Sequence, residues 1–232
     1  MCSRWPRPRL CKSSSLFLGL NQRGMAGCER KRKIRTGIFG GTFNPVHNGH
    51  VALAARILKA ARLDEVWLLL TPQNPWKKDS VLLDDDLRLE MLQAAVKDEK
   101  GLVASDFEFS LPKPSYTWNT LQALTATYPD RRFTLIIGAD NWVGFERWYE
   151  HDKILANHHI VVYPRKGSDV DAATLPRNVK LLNTELYEVS STEVRDRVSQ
   201  GLPIDHLVPP PVATLISQKG YYLPSPKGPS SP

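Results

Sequence analysis

Cysteine is scarce in this chain of 232 residues and absent from most of its length. Its three cysteines, Cys2, Cys11 and Cys28, all lie close to the amino terminus. The long stretch after Cys28 therefore cannot depend on disulfide bonds or on metal ions held by thiolates. This composition suits a reducing compartment, and we expect a cytoplasmic protein.

A surplus of positive charge is also missing from most of the chain. The net charge is +7, but residues 1–35 hold ten Lys and Arg against one acidic residue, whereas residues 36–232 hold 21 basic residues against 23 acidic ones. Domains that bind long nucleic acids collect positive charge on one face or along one helix. We therefore expect no nucleic-acid partner for the body of the protein.

No apolar run is long enough to cross a membrane. The run Ser15–Leu20 is far shorter than the roughly 20 residues that a spanning helix needs, and its neighbours do not form a convincing signal peptide. We expect no membrane association. Residues 1–33 are predicted to be a disordered basic leader, with a transit peptide or a localisation patch as alternatives. Residues 223–232, rich in Pro and Ser, are predicted to be a disordered tail.

Between these ends, short apolar runs alternate with segments of helical spacing. The runs predict strands at Arg35–Phe39, Glu65–Leu70, Leu102–Ala104, Phe133–Ile137, His159–Tyr163 and Val179–Leu182. The spacing predicts helices at Gly49–Ala61, Asp85–Lys97, Thr117–Thr127, Asn141–Phe145, His151–Leu155, Ser191–Gln200 and Pro211–Gln218. We therefore expect residues 34–222 to form a single domain, a doubly wound α/β fold with a mostly parallel sheet. Ligands bind beyond the carboxyl ends of such strands, so the loops at 40–50, 71–78, 138–142 and 184–192 should converge.

A glycine-rich turn follows the first predicted strand. Gly40 and Gly41 let the backbone approach a phosphate with no Cβ in the way, and the next helix offers unpaired N–H groups and a positive dipole end. His47 and His50 lie three residues apart, so both can face one ligand from the first helical turn. The segment matches neither the dinucleotide Gly-x-Gly-x-x-Gly pattern nor the Walker A pattern. It predicts a nucleoside triphosphate site of another class.

A second polar segment, Val189–Arg195, follows the last predicted strand. Ser190 or Ser191 can cap the helix, and Thr192 adds a hydroxyl near its free amides. Arg195 lies four residues after Ser191 on a compatible face, where a guanidinium beside a helix N-terminus makes a second phosphate site. Alone, this pattern is also explained by a capping box with an exposed arginine. Together with the first motif, it favours phosphate binding.

Three segments together resemble the bacterial nicotinate-nucleotide adenylyltransferases of the nucleotidyltransferase superfamily. They are Gly40–His50, Ile137–Asp140 with Trp148, and Val189–Arg195. The resemblance implies a Rossmann-like enzyme of NAD biosynthesis that joins ATP and nicotinate mononucleotide to give nicotinate adenine dinucleotide and pyrophosphate, helped by Mg²⁺. The attacking group is then the mononucleotide's own phosphate. No activated Ser or Cys nucleophile is needed, and the sequence shows no signature of one.

The resemblance also assigns roles to single residues. The catalytic side chains would be His47, His50 and Arg195, with His50 the best candidate for contact with the α-phosphate of ATP. Further ATP contacts would come from Gly40, Gly41, Thr42, Phe43, Ser190, Ser191 and Thr192. The mononucleotide would contact Thr117, Gly138, Asp140, Trp148 and Lys77. No residue is assigned as a metal ligand, because substrate phosphates and water can hold most of the ion's coordination sphere.

Several of these residues have a structural explanation as well. Phe43 and Trp148 can be core aromatics, Asp140 can cap a helix, and Lys77 can be a surface lysine. The sequence also departs from the family pattern at Asn44, where many relatives have aspartate, at Trp76 in place of histidine, and at Trp118 in place of a smaller residue. The details of the loop around Trp76 are therefore open.

Other functions remain open at the level of sequence. The alternative is a sibling enzyme that uses nicotinamide mononucleotide, phosphopantetheine or a cytidylyltransferase substrate. The choice between acid and amide mononucleotide is the hardest to make. A class I aminoacyl-tRNA synthetase is disfavoured because no Lys-Met-Ser-Lys-like loop is present. A regulatory protein that senses nucleotides without turnover would be expected to have lost a phosphate-handling residue. The formation of a homo-oligomer is also left open.

Overall fold

The structure is a computed structural model that describes residues 32–72, 82–183 and 189–224. Apart from Arg32, these residues belong to one unit of the chain. Its strands are β1 (Ile34–Gly41), β2 (Glu65–Leu70), β3 (Leu102–Ser105), β4 (Arg131–Gly138), β5 (His159–Tyr163) and β6 (Val179–Leu181). Its α-helices are α1 (Asn48–Ala60), α2 (Asp85–Val96), α3 (Thr117–Thr127), α4 (Ala139–Val143), α5 (His151–Asn157), α6 (Ser191–Ser199) and α7 (Pro210–Lys219). Short 3₁₀ helices cover Phe107–Ser110, Phe145–Arg147 and Ala172–Thr174.

The six strands form one sheet in the order β3-β2-β1-β4-β5-β6. Every neighbouring pair is parallel. This is the strand order of the Rossmann fold, in which strands are added in one direction from β1 to β3 and in the opposite direction from β4 to β6. The predicted doubly wound α/β class is therefore confirmed, and the loops that follow β1 and β4 lie at the point where ligands bind in such sheets.

Helices cover both faces of the sheet because successive strand residues point in opposite directions. Phe39 and Leu68 pack on the face covered by α1, α2, α6 and α7, whereas Ile38 and Leu69 pack on the face covered by α3, α4 and α5. These strands are apolar on both faces, as strands of a doubly covered parallel sheet must be. Full burial of each such side chain stabilises the fold by about 1.5–3 kcal/mol relative to exposure.

The predicted helix at Asn141–Phe145 is displaced in the structure. Helix α4 begins at Ala139, directly after β4, and Phe145 belongs to the following 3₁₀ helix. Gly138 supplies the extended N-cap residue that lets the chain turn from strand to helix without a connecting loop, and Gly144 ends the helix. The helix therefore begins directly after the strand, before the position that periodicity alone predicts.

The acidic run Asp84–Asp86 lies at the beginning of α2. Asp84 is the N-cap residue, although its side chain makes no capping hydrogen bond, and the two following carboxylates lie in the first turn. Carboxylates in this position interact favourably with the helix dipole. Within the part of the chain that the structure describes, no helix is long and apolar enough to cross a membrane.

Candidate active site

A cavity of about 590 Å³ opens beyond the carboxyl ends of β1, β2 and β4. Its walls include Gly40 and Gly41 from β1, Thr71 after β2, and Gly138 from β4. The first turn of α3 and the segment around Trp148 close the other side. A volume of this size is within the range of cavities that hold small ligands. The predicted convergence of the loops after β1 and β4 is therefore observed.

The turn after β1 is held by a buried arginine that the sequence reading did not identify. Arg88 of α2 is fully buried, and it donates hydrogen bonds to the carbonyl oxygens of Thr42 (2.5 Å), Thr71 (3.3 Å) and Leu83 (2.8 Å). Its guanidinium also pairs with Asp85. A buried guanidinium is stable only when its donors find such acceptors. Arg88 thereby joins the turn after β1 to the end of β2 and the start of α2.

Phe43 occupies the core with its side chain. It is 2% exposed and packs edge-on against Phe39 at 5.9 Å and His50 at 5.0 Å between ring centroids. Its backbone has a positive φ of 42°, which a bulky side chain rarely adopts. A Cβ on Gly41 would lie 3.0 Å from the Phe43 ring, so the turn leaves little room for a side chain there.

The two histidines stack on each other at the start of α1. The ring centroids of His47 and His50 lie 3.6 Å apart with an interplanar angle of 27°. The backbone N–H of His47 donates to Nδ1 of His50 at 3.3 Å. Because Nδ1 accepts this bond, the proton of a neutral His50 lies on Nε2, which can donate to a ligand.

Burial keeps His47 neutral in the free protein. Desolvation by burial, together with a smaller effect of the positive charge of Arg165, lowers the pKa of its imidazole to about 4. Two imidazolium rings in a stack would also repel each other. A polyanion bound beside the stack would oppose both effects, so phosphate binding and histidine protonation are expected to favour each other.

Part of the amino terminus of α1 is already used inside the protein. The N–H of Asn48 donates to the carbonyl oxygen of Leu207 at 2.8 Å, and the Asn48 side chain donates to that of His206 at 3.1 Å. The segment before α7 thus covers the start of α1. The sequence predicts unpaired amides at this end of the helix, but the amide of Asn48 is not available to a phosphate.

The second motif contacts the first across the fold. Ser191 Oγ donates to the carbonyl oxygen of Pro45 at 2.9 Å, and a terminal nitrogen of Arg195 donates to that of Asn44 at 2.7 Å. Ser190 is the N-cap residue of α6, since its hydroxyl accepts from the N–H of Glu193 at 3.1 Å. The start of α6 is therefore fastened to the loop that carries the histidines.

The remaining residues of this motif lie at the surface or close to it. Thr192 is exposed, and its hydroxyl accepts from the second terminal nitrogen of Arg195 at 3.1 Å. His47, His50 and Arg195 are not among the described residues that line the cavity. They surround the loop that begins at its edge, between Gly41 and α1.

Gly138 at the end of β4 lies close to two charged side chains. A Cβ on Gly138 would lie 2.3 Å from the Asp140 carboxylate and 3.1 Å from the Arg165 side chain. Asp140 is exposed and lies 3.8 Å from Arg165, and α4 has no side-chain capping bond. Capping is therefore not the role of Asp140, which faces a guanidinium instead.

The other end of the cavity is rich in aromatic residues. Thr117, the first residue of α3, and Trp148 both line it and are half-buried. Trp148 packs beside Phe145, with ring centroids 5.6 Å apart. Tyr116 and Tyr149 stand 5.0 Å apart, also in the cavity wall. Lys77 and Trp76 lie outside the described residues.

With this geometry established, comparison with known proteins is informative. The family described as cytidylyltransferase-like matches residues 38–197. A probable nicotinate-nucleotide adenylyltransferase of Bacteroides fragilis is 46% identical over 81% of this chain and 93% of its own length. One from Bacteroides thetaiotaomicron is 44% identical over 80% of this chain and 92% of its own length. This chain belongs to the nicotinate-nucleotide adenylyltransferase family. It is accordingly a nucleotidyltransferase of NAD biosynthesis.

Solved structures share the fold of this adenylyltransferase. A Plasmodium falciparum nicotinic acid mononucleotide adenylyltransferase complexed with NaAD superimposes with a TM-score of 0.69 at 19% identity, over 82% of this chain and 97% of that one. A putative nicotinate-nucleotide adenylyltransferase of Vibrio parahaemolyticus gives a TM-score of 0.61 at 24% identity, over 83% and 97%. These likenesses confirm the Rossmann-like fold.

Two polar residues of the adenylyltransferase site escaped the sequence reading for different reasons. Arg165 follows β5 at the carboxyl edge of the sheet, and this position was a usable signal for a ligand-facing cation. Its guanidinium donates to the Tyr163 hydroxyl at 3.2 Å. Glu108 lines the cavity from the 3₁₀ helix after β3, where no periodicity marked it.

Proposed function

We propose that this adenylyltransferase joins ATP and nicotinate mononucleotide at the cavity beyond β1 and β4, releasing pyrophosphate. The observation that carries the proposal is the contact between the two phosphate motifs. Arg195 and Ser191 bind backbone oxygens only a few residues before His47. Groups about 150 positions apart in sequence thus meet beside one cavity, as a shared polyphosphate site requires.

In this proposal the phosphate of the mononucleotide attacks the α-phosphorus of ATP in line. One P–O bond forms to the mononucleotide, the bond to the β-phosphate oxygen breaks, and pyrophosphate leaves with that electron pair. The enzyme acts by positioning the two nucleotides and by stabilising charge on the phosphoryl oxygens. Nε2–H of His50 is the donor that we assign to the α-phosphate, and His47 and Arg195 supply further positive charge.

The backbone around Gly40, Gly41, Thr42 and Phe43 is assigned to ATP, together with the start of α6. Gly40 is exposed and has open space around its Cα, since a Cβ would meet only Thr71 at 3.8 Å. Ser190 and Ser191 make bonds within the protein, so we assign their backbone rather than their hydroxyls to the phosphates. Ser190 and Thr192 are exposed, and the Thr192 hydroxyl accepts from Arg195.

The mononucleotide is assigned to the aromatic end of the cavity. Trp148 offers a ring face to the pyridine, Thr117 begins α3 beside it, and Gly138 with Asp140 lies at the end of β4. Arg165 is a further cation for a phosphate, because it lies next to Asp140 and close enough to His47 to influence its pKa. Lys77, which lies outside the described residues, keeps its proposed contact with the mononucleotide.

Mg²⁺ is proposed to enter with ATP. Within residues 32–72, 82–183 and 189–224, no group of three His, Cys, Asp or Glu side chains is placed to hold a metal ion. Mg²⁺ bound with nucleotides commonly keeps mainly phosphate and water ligands, so the proposal needs no such group. When bound, the ion supplies charge neutralisation on the phosphates.

The direct test is a measurement of initial velocity with Mg²⁺-ATP and either nicotinate or nicotinamide mononucleotide, following pyrophosphate and dinucleotide together. We expect a clearly higher kcat/KM for the acid. A preference for the amide would assign the chain to a sibling activity. Nucleotide binding without pyrophosphate release would support a sensor instead. We further propose that the enzyme is cytoplasmic and needs no nucleic-acid partner.

A further inference from the structure

After its last helix, the chain returns to the core on the α1 face of the sheet. Helix α7 ends at Gly220, which has a left-handed backbone, and Tyr221 and Tyr222 then pack against that core. Tyr222 itself has a positive φ of 64°, which a bulky side chain rarely adopts. Such a conformation persists only where the surrounding contacts hold the residue in place.

The hydroxyl of Tyr222 contacts the loop that carries the two histidines. It lies 3.0 Å from Oδ1 of Asn44. The backbone N–H of Leu83 donates to the same atom at 3.3 Å. Because an N–H can only donate, this atom is the amide oxygen, and the Tyr222 hydroxyl is the donor of the other bond. Asn44 is 4% exposed, so both bonds to its side chain lie in the interior.

Asn44 is also the residue to which Arg195 is bonded. Its carbonyl oxygen accepts from the guanidinium at 2.7 Å, and the next carbonyl oxygen, of Pro45, accepts from Ser191. Asn44 is thus held by its side chain from the segments before α2 and after α7, and by its backbone from α6. His47 follows a few residues later, so the placement of its ring depends on where Asn44 is held.

Two arginines that shape this loop act on the Tyr222 hydroxyl. Burial raises the pKa of Tyr222, whereas the positive charges of Arg195 and Arg88 act in the opposite direction. The hydroxyl therefore keeps its proton at neutral pH and remains a donor. Tyr222 is not among the described residues that line the cavity, so its contact is with the loop and not with a substrate bound there.

We propose that Tyr222 is a positioning residue for adenylyl transfer, whose hydroxyl holds Asn44 and thereby the loop that presents His47 and His50 to the phosphates. This inference rests on the proposed function. The segment after α7 then provides a third attachment of the loop, beside those from α2 and α6. Small displacements of groups that act on a reacting centre lower the rate strongly, even when the change is made at a distance.

The test begins with Tyr222→Phe in the full-length protein, which removes the hydroxyl and keeps the ring. With Mg²⁺-ATP and nicotinate mononucleotide, kcat should fall about three- to tenfold, as expected for the loss of one buried hydrogen bond. The dissociation constants of the two nucleotides, measured separately, should each change less than about threefold, because no cavity wall is altered. The NMR signals of the His47 and His50 ring protons should shift, since both rings follow Asn44 in the chain.

Tyr221→Phe is the matched control. The Tyr221 ring is buried in the same core, and its hydroxyl makes no hydrogen bond to any residue that the structure describes. This variant should leave kcat and the histidine signals unchanged. In an Asn44→Ala background, which lacks the acceptor, Tyr222→Phe should lower kcat no further, because the two residues act through one bond. Thermal unfolding of each variant verifies that the protein remains folded.

A folded Tyr222→Phe enzyme with the kcat and histidine signals of Tyr221→Phe would overturn the proposal. An equal loss of kcat with and without the Asn44 side chain would overturn it as well, because the hydroxyl would not then act through Asn44. If Asn44→Ala does not fold, the comparison of the two tyrosine variants decides alone. Failure of the proposed function has a different signature, since the wild-type protein would form no dinucleotide, and the histidine signals of Tyr222→Phe would still show whether the hydroxyl holds the loop.

Discussion

In the proposed mechanism, His50 donates a hydrogen bond to the transferred phosphoryl group. Its ring is half-buried, and its Nδ1 accepts from the backbone N–H of His47, which places the proton of a neutral ring on Nε2. Preorganised donors of this kind need no rearrangement when charge develops on the phosphoryl oxygens.

We predict that His50→Ala lowers kcat by about two to three powers of ten, which is typical of losing one transition-state donor. The binding of ATP should change much less, and folding should be largely retained because the ring is only partly buried. Steady-state kinetics with a parallel thermal melt measures both. His206→Ala, at an exposed position, is the control, and a His50→Ala enzyme with near-normal kcat would exclude this role.

His47 should make stability depend on pH. Its pKa is lowered to about 4 by burial, against about 6.5 in the unfolded chain, so the unfolded state binds more protons between these values. The contribution of His47 is therefore fully present above about pH 6.5 and is lost as the pH falls toward 4. The expected loss between pH 7 and pH 5 is about 1–2 kcal/mol.

Urea unfolding at pH 7 and pH 5 checks this prediction, with His47→Gln as the comparison. The variant cannot titrate at this position, so its free energy of unfolding should fall less between the two pH values. The pKa of His158 is also lowered, chiefly by burial, and it contributes a background that both proteins share. Equal losses in the two proteins would show that His47 is not buried as a neutral ring.

At the scale of elements, α6 is fastened to the loop before α1 by the bonds of Ser191 and Arg195. Arg195 is half-buried and donates to the carbonyl oxygen of Asn44 at 2.7 Å. Its side chain therefore stabilises the loop before α1 and also places a positive charge beside it. The role of the side chain is thus partly structural, which the sequence reading did not foresee.

We predict that Arg195→Ala raises the KM for ATP about tenfold or more, since a charged hydrogen bond to phosphate is lost, with a smaller effect on the mononucleotide. Arg197→Ala is a matched control, because Arg197 lies on the same helix but donates to the Pro203 carbonyl oxygen instead. Binding of each nucleotide by calorimetry separates the two effects. Equal weakening of both nucleotides would indicate a general loss of loop structure.

The elements themselves were largely predictable. Buried parallel strands are continuous apolar runs, and each of the six predicted runs is a strand in the structure. The start of α4 was not predictable from periodicity, because Gly138 allows helix and strand to join directly. The identity of the α6 N-cap was ambiguous between Ser190 and Ser191 until the hydrogen bond to Glu193 decided it.

At the scale of the whole molecule, the Rossmann order explains why the motifs meet. β1 and β4 are neighbours at the centre of the sheet, so the turns after them face one cavity. The glycines and histidines of the first motif could be predicted as site residues, because they lie close together in the sequence and their spacing is itself the signal. Arg88 and Glu108 were not, because their partners come from other elements and only the folded chain brings them together.

The proposed mechanism requires both imidazoles and Arg195 to act on the same polyphosphate. NMR titration of the histidine ring protons, with and without a non-hydrolysable ATP analogue, tests it most directly, with His47→Gln and His50→Gln providing the assignments. We predict that the analogue raises the pKa of both rings, because a polyanion favours imidazolium, and that Arg195→Ala weakens the effect at a given analogue concentration. Ring signals that do not respond to saturating analogue would contradict the account.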